Sequence, residues 1–281
     1  MFFKDIKIEH TVFALPFAVT SAFIASDRFP AGNVFFWIVI AMVSARSWAM
    51  AFNRFADADY DRKNVRTKGR AIPSGSMSGS MMLAYGIAAV IVFEVAAYNL
   101  NRLAFILSPL ALFIVSFYSY TKRFSFFSHF ILGLSLGIAP VGAWVAVKGE
   151  ISLISIILGA AVMLWTAGFD ILYSLQDVEF DKTHGLYSFP VRFGVHKSLV
   201  VSRLLHAGMI LFLILLIPVA HLGIIFFCGI IASAVFLVYE HNLVKHDDIS
   251  RINQAFFNMN GIVSILIMLF TIADGLLLSR I

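Results

Sequence analysis

Two acidic clusters hold the residues whose types and spacing could do chemistry. The first reads Asn53-Arg-Phe-Ala-Asp57-Ala-Asp-Tyr-Asp61, which puts Asn53, Asp57 and Asp61 on one helical face and Asp59 off it. The second sets Asp170, Tyr173, Asp177 and Asp181 along one stripe, with Glu179 off the face. Carboxylates stacked this way repel one another, so the pattern asks for bound cations. Oxygen ligands without a His or Cys constellation favour a hard ion, Mg²⁺ above all, whose shell is completed by water and phosphate. A diphosphate is the natural third party. Arg54, Arg62, Lys63, Arg66, Lys68 and Arg70 crowd the first cluster, more cations than its carboxylates need, and some could clamp phosphate oxygens.

Each cluster also has a polar residue deeper in an apolar run. Arg46 precedes Asn53 by seven residues on the same face, and Asp170 opens the second stripe. Charged groups inside a bilayer line a polar cavity or pair with one another. Arg46 and Asp170 therefore either form a bracing ion pair between their helices or make the floor of a polar chamber. Glu94 is a third intramembrane acid, with no partner assigned from the sequence. The plain alternative for the clusters is a charged loop with surface ion pairs of little consequence. Two clusters at matching helix ends weigh against it.

The elements that must position these residues are membrane helices. Of the 281 residues, 60% are hydrophobic and only 13% charged, and the mean hydropathy is +0.89. That is too little charge for a water-facing surface. Apolar runs near the ~20 residues a bilayer requires fall at about 11–27, 34–53, 79–98, 103–120, 127–147, 151–174, 199–219, 222–240 and 260–279. The expected fold is all-α: one polytopic membrane domain over 1–281, a bundle of about nine transmembrane helices around a central cavity. The run at 11–27, behind Lys4 and Lys7, could imitate a signal peptide, but eight further spans favour a membrane-anchored role. With the N-terminus inside, inner segments collect Lys4, Lys7, the Arg54–Arg70 run, Lys122, Arg123, Lys182, Arg192, Lys197, Arg203, Lys245 and Arg251. Outer segments keep only Arg28, Arg102, Lys148 and Arg280. Both acidic clusters then face the cytoplasm. The net charge of +5 reflects this asymmetry and implies no nucleic-acid partner. The lone Cys228 supports neither a disulfide nor a zinc site.

These residues resemble the UbiA superfamily of intramembrane prenyltransferases over almost the whole chain. The first cluster is similar to the motif NDxxDxxxD, and Arg66-Thr-Lys-Gly-Arg70-Ala-Ile-Pro73-Ser-Gly75 to its continuation. The second matches DxxYxxxDxxxD, followed by a similar His184-Gly185…Phe193-Gly194 tail, and Tyr118-Ser-Tyr-Thr-Lys122-Arg123 looks like the basic motif before the fifth helix. Arg54 departs from the pattern, standing where the commonest motif has Asp. With Glu9-His10…Pro16 and Ser250…Gly261, it resembles a bacterial subgroup labelled 4-hydroxybenzoate polyprenyltransferase. Related members work on 1,4-dihydroxy-6-naphthoate in the futalosine route to menaquinone.

The resemblance implies Mg²⁺-dependent transfer of a polyprenyl group from its diphosphate to the ring of a hydroxylated aromatic acid, in ubiquinone or menaquinone biosynthesis. Asp57, Asp61, Asp177 and Asp181 would hold two Mg²⁺ ions, with Asn53 assisting. Arg46 or Arg123 would pair with the acceptor carboxylate. Lys122, Arg62 or Lys182 would touch phosphate oxygens, with Arg70 in the binding set. Asp170 or a bound water would take the ring proton, and Tyr173 would hydrogen-bond a phosphate or carboxylate. The enzyme would be a multi-pass protein of the cell (inner) membrane, its donor tail and its outer surface meeting lipid. Two rivals come from other classes: a secondary transporter coupling through Arg46 and Asp170, and a non-catalytic scaffold.

Overall fold

The computed structural model describes residues 13–244, 251–252 and 259–278. The Lys4, Lys7, Glu9, His10, Lys245 and Arg280 of the sequence reading, with most of 250–258, lie outside the described residues. Nine apolar helices appear among the described residues: α1 (Leu15–Ser26), α2 (Gly32–Ala56), α4 (Gly79–Leu100), α5 (Arg102–Thr121), α6 (Ser128–Lys148), α7 (Leu153–Ser174), α9 (Phe189–Val219), α10 (Ile224–Leu243) and α11 (Asn260–Leu277). Two short helices, α3 (Ala58–Lys63) and α8 (Val178–Thr183), complete the set. Eight of the nine are long and apolar enough to cross a membrane, so this is a multi-pass membrane protein.

The exception is α1, whose twelve described residues reach only ~18 Å. Pro16 to Ala25 are all buried, which explains why this segment shows no amphipathic face: it is walled by protein on every side. Phe17 of α1 packs on Trp165 of α7 with ring centroids 5.1 Å apart, at the centre of a core shared with α6, α9, α10 and α11.

Consecutive helices are joined by short connections at the end away from the clusters. Asn101 caps α5 through the Ala104 amide and donates to the Val145 and Ala146 carbonyls, tying three helix ends together. Asp274 accepts from the Gly223 and Phe226 amides and so caps α10. The longer loops, 57–78, 122–127 and 175–188, gather at the opposite end.

Glycine sets the closest helix contact. A Cβ at Gly133 would lie 2.4 Å from the Met163 carbonyl oxygen, and one at Gly137 would lie 2.6 Å from that of Gly159. The α6 and α7 backbones touch because these side chains are missing. In α9, Gly194 (φ 81°, ψ 167°) breaks the helix in two, so the expected span at 199–219 is preceded by a short separate turn that begins at Phe189.

Candidate functional site

The continuous stripes expected from the spacing are broken, and in the same way in both clusters. α2 stops at Asp57 (φ −95°, ψ 8°), and the six-residue α3 then carries Asp61. α7 passes through a 3₁₀ turn, Leu175–Asp177, to Asp177 (φ −104°, ψ 3°), and the six-residue α8 then carries Asp181. Both leading aspartates sit in the bridge region of backbone space. Each break re-aims the following turn, and both trailing aspartates are buried.

Every one of the four carboxylates faces a cation. Arg123 Nη2 lies 3.3 Å from Asp57 Oδ1, and Asn53 Nδ2 donates to Asp57 Oδ2 at 2.9 Å. Arg70 Nη1 donates to both oxygens of Asp61 at 2.7 Å. Arg66 forks onto Asp177, Nε to Oδ1 at 3.1 Å and Nη2 to Oδ2 at 2.7 Å, while Asn64 adds a 3.3 Å bond. Lys122 Nζ stands 3.7 Å from Asp181 Oδ2. The Lys122-Arg123 pair thus serves both clusters, and Arg66 ties the first loop to the second cluster. Arg123 is also held by the Ala56 carbonyl at 2.6 Å and by the rings of Tyr60 and Tyr120.

These groups line one chamber of about 580 Å³. Its polar end holds Asn53, Asp57, Asp61, Arg66, Arg70, Lys122, Arg123, Tyr173, Asp177 and Asp181, and Arg46 and Asp170 are in its wall. Beyond them the lining along α5 from Val115 to Ala104 is apolar apart from Ser108 and reaches Leu100 and Ile151. From Lys122 to Ala104 this follows α5 for ~27 Å, most of a hydrocarbon thickness.

Burial pushes the Asp57 carboxyl up. The Arg123 hydrogen bond opposes that shift, and the nearby Asp61 charge reinforces it. Burial works against the Lys122 ammonium, but Asp181, Asp170, Asp177 and Asp57 together outweigh it and raise its pKa. A buried oxygen of Asp181, Oδ2, accepts no hydrogen bond, as suits a ligand awaiting a cation. Among the described residues no three His, Cys, Asp or Glu side chains could hold an ion by themselves. The arrangement fits Mg²⁺ that draws on one or two carboxylates and takes further oxygens from phosphate.

Two expected phosphate contacts lie elsewhere. Arg62 pairs with Asp59 and Lys182 with Glu179 at exposed positions three residues apart, and neither is in the chamber lining. Both follow their cluster's last aspartate by one residue, which turns them outward when that aspartate points in. The Arg46–Asp170 ion pair gives way to another arrangement: Asp170 Oδ2 is 2.6 Å from Nδ1 of His129. His129 escaped the sequence reading because a lone His in an apolar run has no spacing partner. Arg66 was visible as one of six cations and as the start of the motif continuation, but with no partner, because its fork onto Asp177 spans 111 residues. Glu94 finds its partner in Ser108, which donates at 2.6 Å.

A family model for the UbiA prenyltransferase family matches residues 14–262. The chain is 29% identical to a 4-hydroxybenzoate octaprenyltransferase of Aliivibrio fischeri (strain MJ11) over 238 residues, covering 85% of this chain and 83% of that one. It superposes on the apo structure of a UbiA homologue from Aeropyrum pernix K1 with a TM-score of 0.86 at 33% identity, covering 95% and 98% of the two chains. The fold is also shared with a UbiA homologue from Archaeoglobus fulgidus bound to DMAPP and Mg²⁺ (TM-score 0.75, 19% identity, 99% of each chain). Matched motifs, matched backbone and a family model spanning both acidic clusters lead to one conclusion: the chain belongs to the UbiA prenyltransferase family.

Proposed function

We propose that the protein transfers a polyprenyl group from polyprenyl diphosphate to the ring of a hydroxylated aromatic carboxylic acid, 4-hydroxybenzoate or 1,4-dihydroxy-6-naphthoate, in respiratory quinone biosynthesis. The observation that carries this reading is the shape of the chamber: two carboxylate pairs and their cations at one end, and a long apolar cleft behind them. A diphosphate head and an isoprenoid tail need those two environments in that order. The names of the curated relatives and the DMAPP and Mg²⁺ held by the Archaeoglobus fulgidus homologue support it.

Asp57, Asp61, Asp177 and Asp181, with Asn53, would hold two Mg²⁺ ions. Bound there, Mg²⁺ neutralises the diphosphate and improves it as a leaving group. Lys122, Arg66 and Arg70, already at the carboxylates, bind the phosphate oxygens, with Tyr173 beside Arg66. The apolar wall excludes water from the allylic cation. Either Arg46, about 10 Å deeper than Asn53 along α2, or Arg123 orients the acceptor carboxylate. Asp170 takes the ring proton. The excess of Lys and Arg at the cluster end supports a cytoplasmic orientation for this chemistry, in the cell (inner) membrane.

Membranes containing the protein are incubated with labelled polyprenyl diphosphate, each acceptor and Mg²⁺. The expected product is a prenylated aromatic with release of diphosphate. Intact donor and no product across a broad acceptor panel, with uptake of a solute instead, would favour the transporter.

A further inference from the structure

His129 is fully buried on α6 and absent from the chamber lining, yet both its ring nitrogens are engaged. The Phe189 backbone amide lies 3.2 Å from Nε2, and an amide N–H can only donate. Nε2 therefore carries the lone pair and Nδ1 the proton, which points at Asp170 Oδ2 2.6 Å away. Asp170 lines the chamber, and its side chain keeps 12% exposure there. The close helix contact makes this pairing possible: His129, Gly133 and Gly137 fall at successive four-residue steps on α6, and the two glycines bring its backbone against α7.

We propose that His129 is a positioning residue: it fixes the Asp170 carboxylate as a proton acceptor, one oxygen held by Nδ1–H and the other presented to the aromatic acceptor. This rests on the prenyl-transfer reading. In the step it serves, the donor C1–O bond breaks and its electron pair leaves with the diphosphate. A ring carbon supplies the pair for the new C–C bond. The proton on that carbon then passes to Asp170, and its C–H pair restores the aromatic ring. His129 does not relay the proton onward, because protonating Nε2 would set N–H against the Phe189 N–H. It acts by orientation, and a misplacement of about 1 Å can cost ~10²-fold in rate.

The two nitrogens can be separated by substitution. His129→Asn keeps a donor near Nδ1, whereas His129→Gln places an acceptor near Nε2 for Phe189 and loses the donor to Asp170. Prenyl transfer is measured for both, with kcat separated from KM for donor and acceptor, alone and combined with Asp170→Asn. The proposal expects His129→Gln to lower kcat about 10²-fold at unchanged donor KM, His129→Asn to stay within about tenfold of wild type, and His129→Gln to add nothing once Asp170 is Asn. Near-wild-type turnover of His129→Gln with loss in His129→Asn would make His129 only a latch on Phe189, and losses that multiply in the double variants would also overturn the proposal. Should the variants not fold, NMR of the wild-type protein labelled with ¹⁵N-histidine and ¹³C-aspartate reads the contact itself: a protonated Nε2 on His129, or an Nδ1–H not bonded to the Asp170 carboxylate, refutes the proposal, and an Nδ1–H coupled to that carboxylate upholds it. Absence of any prenylated product from the wild type would sink the activity reading itself, which keeps the two failures apart.

Discussion

Arg62 and Arg66 stand four residues apart in one basic run, yet they meet different surroundings. Arg62 is paired with Asp59 at an exposed site, whereas Arg66 makes a two-pronged contact with buried Asp177. Truncating Arg66 to Gln should lower kcat/KM about 10²-fold, since a preorganised cation held at the second cluster is lost. Arg62→Gln and Lys182→Gln should stay within about twofold, as solvated surface pairs contribute little. Steady-state kinetics on the four proteins decides this. Asp57→Asn and Asp181→Asn should each cost at least about 10²-fold, and a chelator should do the same to the wild type. Because burial raises the Asp57 carboxyl, its ionised form is lost on acidification at a higher pH than for an ordinary aspartate. In the metal-free protein the Asp57 carboxyl should therefore titrate above the usual aspartate range, read by ¹³C NMR of labelled aspartate against Asp57→Asn, and added Mg²⁺ should lower it.

At the level of helices, Gly133 and Gly137 hold α6 against α7. Gly133→Ala would drive a methyl into the Met163 carbonyl, so the helices must part, at a cost of about 1–3 kcal/mol. The expected result is a lowered thermal midpoint in detergent together with reduced prenyl transfer, because His129 moves off Asp170. Gly32→Ala, whose Cβ would meet nothing within 4 Å and which lies outside the chamber lining, should leave both unchanged. These helices were legible in the sequence because lipid demands long uninterrupted apolar runs, and each expected span overlaps an observed helix. The clusters were legible because carboxylates at four-residue steps are conspicuous. The breaks at Asp57 and Asp177 were not: a helical turn and a bridge-region residue differ by a few tens of degrees in ψ, and no glycine or proline marks either site. His129–Asp170 was hidden for another reason, since it is a contact between helices and needs their spacing, which the glycines set.

For the whole molecule, the chamber's polar end and the short connections lie at opposite ends of the bundle. Single cysteines introduced in a Cys228→Ser background can read that polarity. A cysteine at exposed Ser76 should react with an impermeant thiol reagent only after cells are opened, and one at exposed Glu150 should react on intact cells. The reverse pattern would turn the chamber to the outside. The Arg66–Asp177 fork has a temporal consequence. Its partners are separated by 111 residues, so at about 5–20 residues per second Arg66 leaves the ribosome some 5–20 s before Asp177. Until then the Asp57 and Asp61 carboxylates stand without the second cluster. Insertion of α7 is therefore the step that turns two separately made halves into one site.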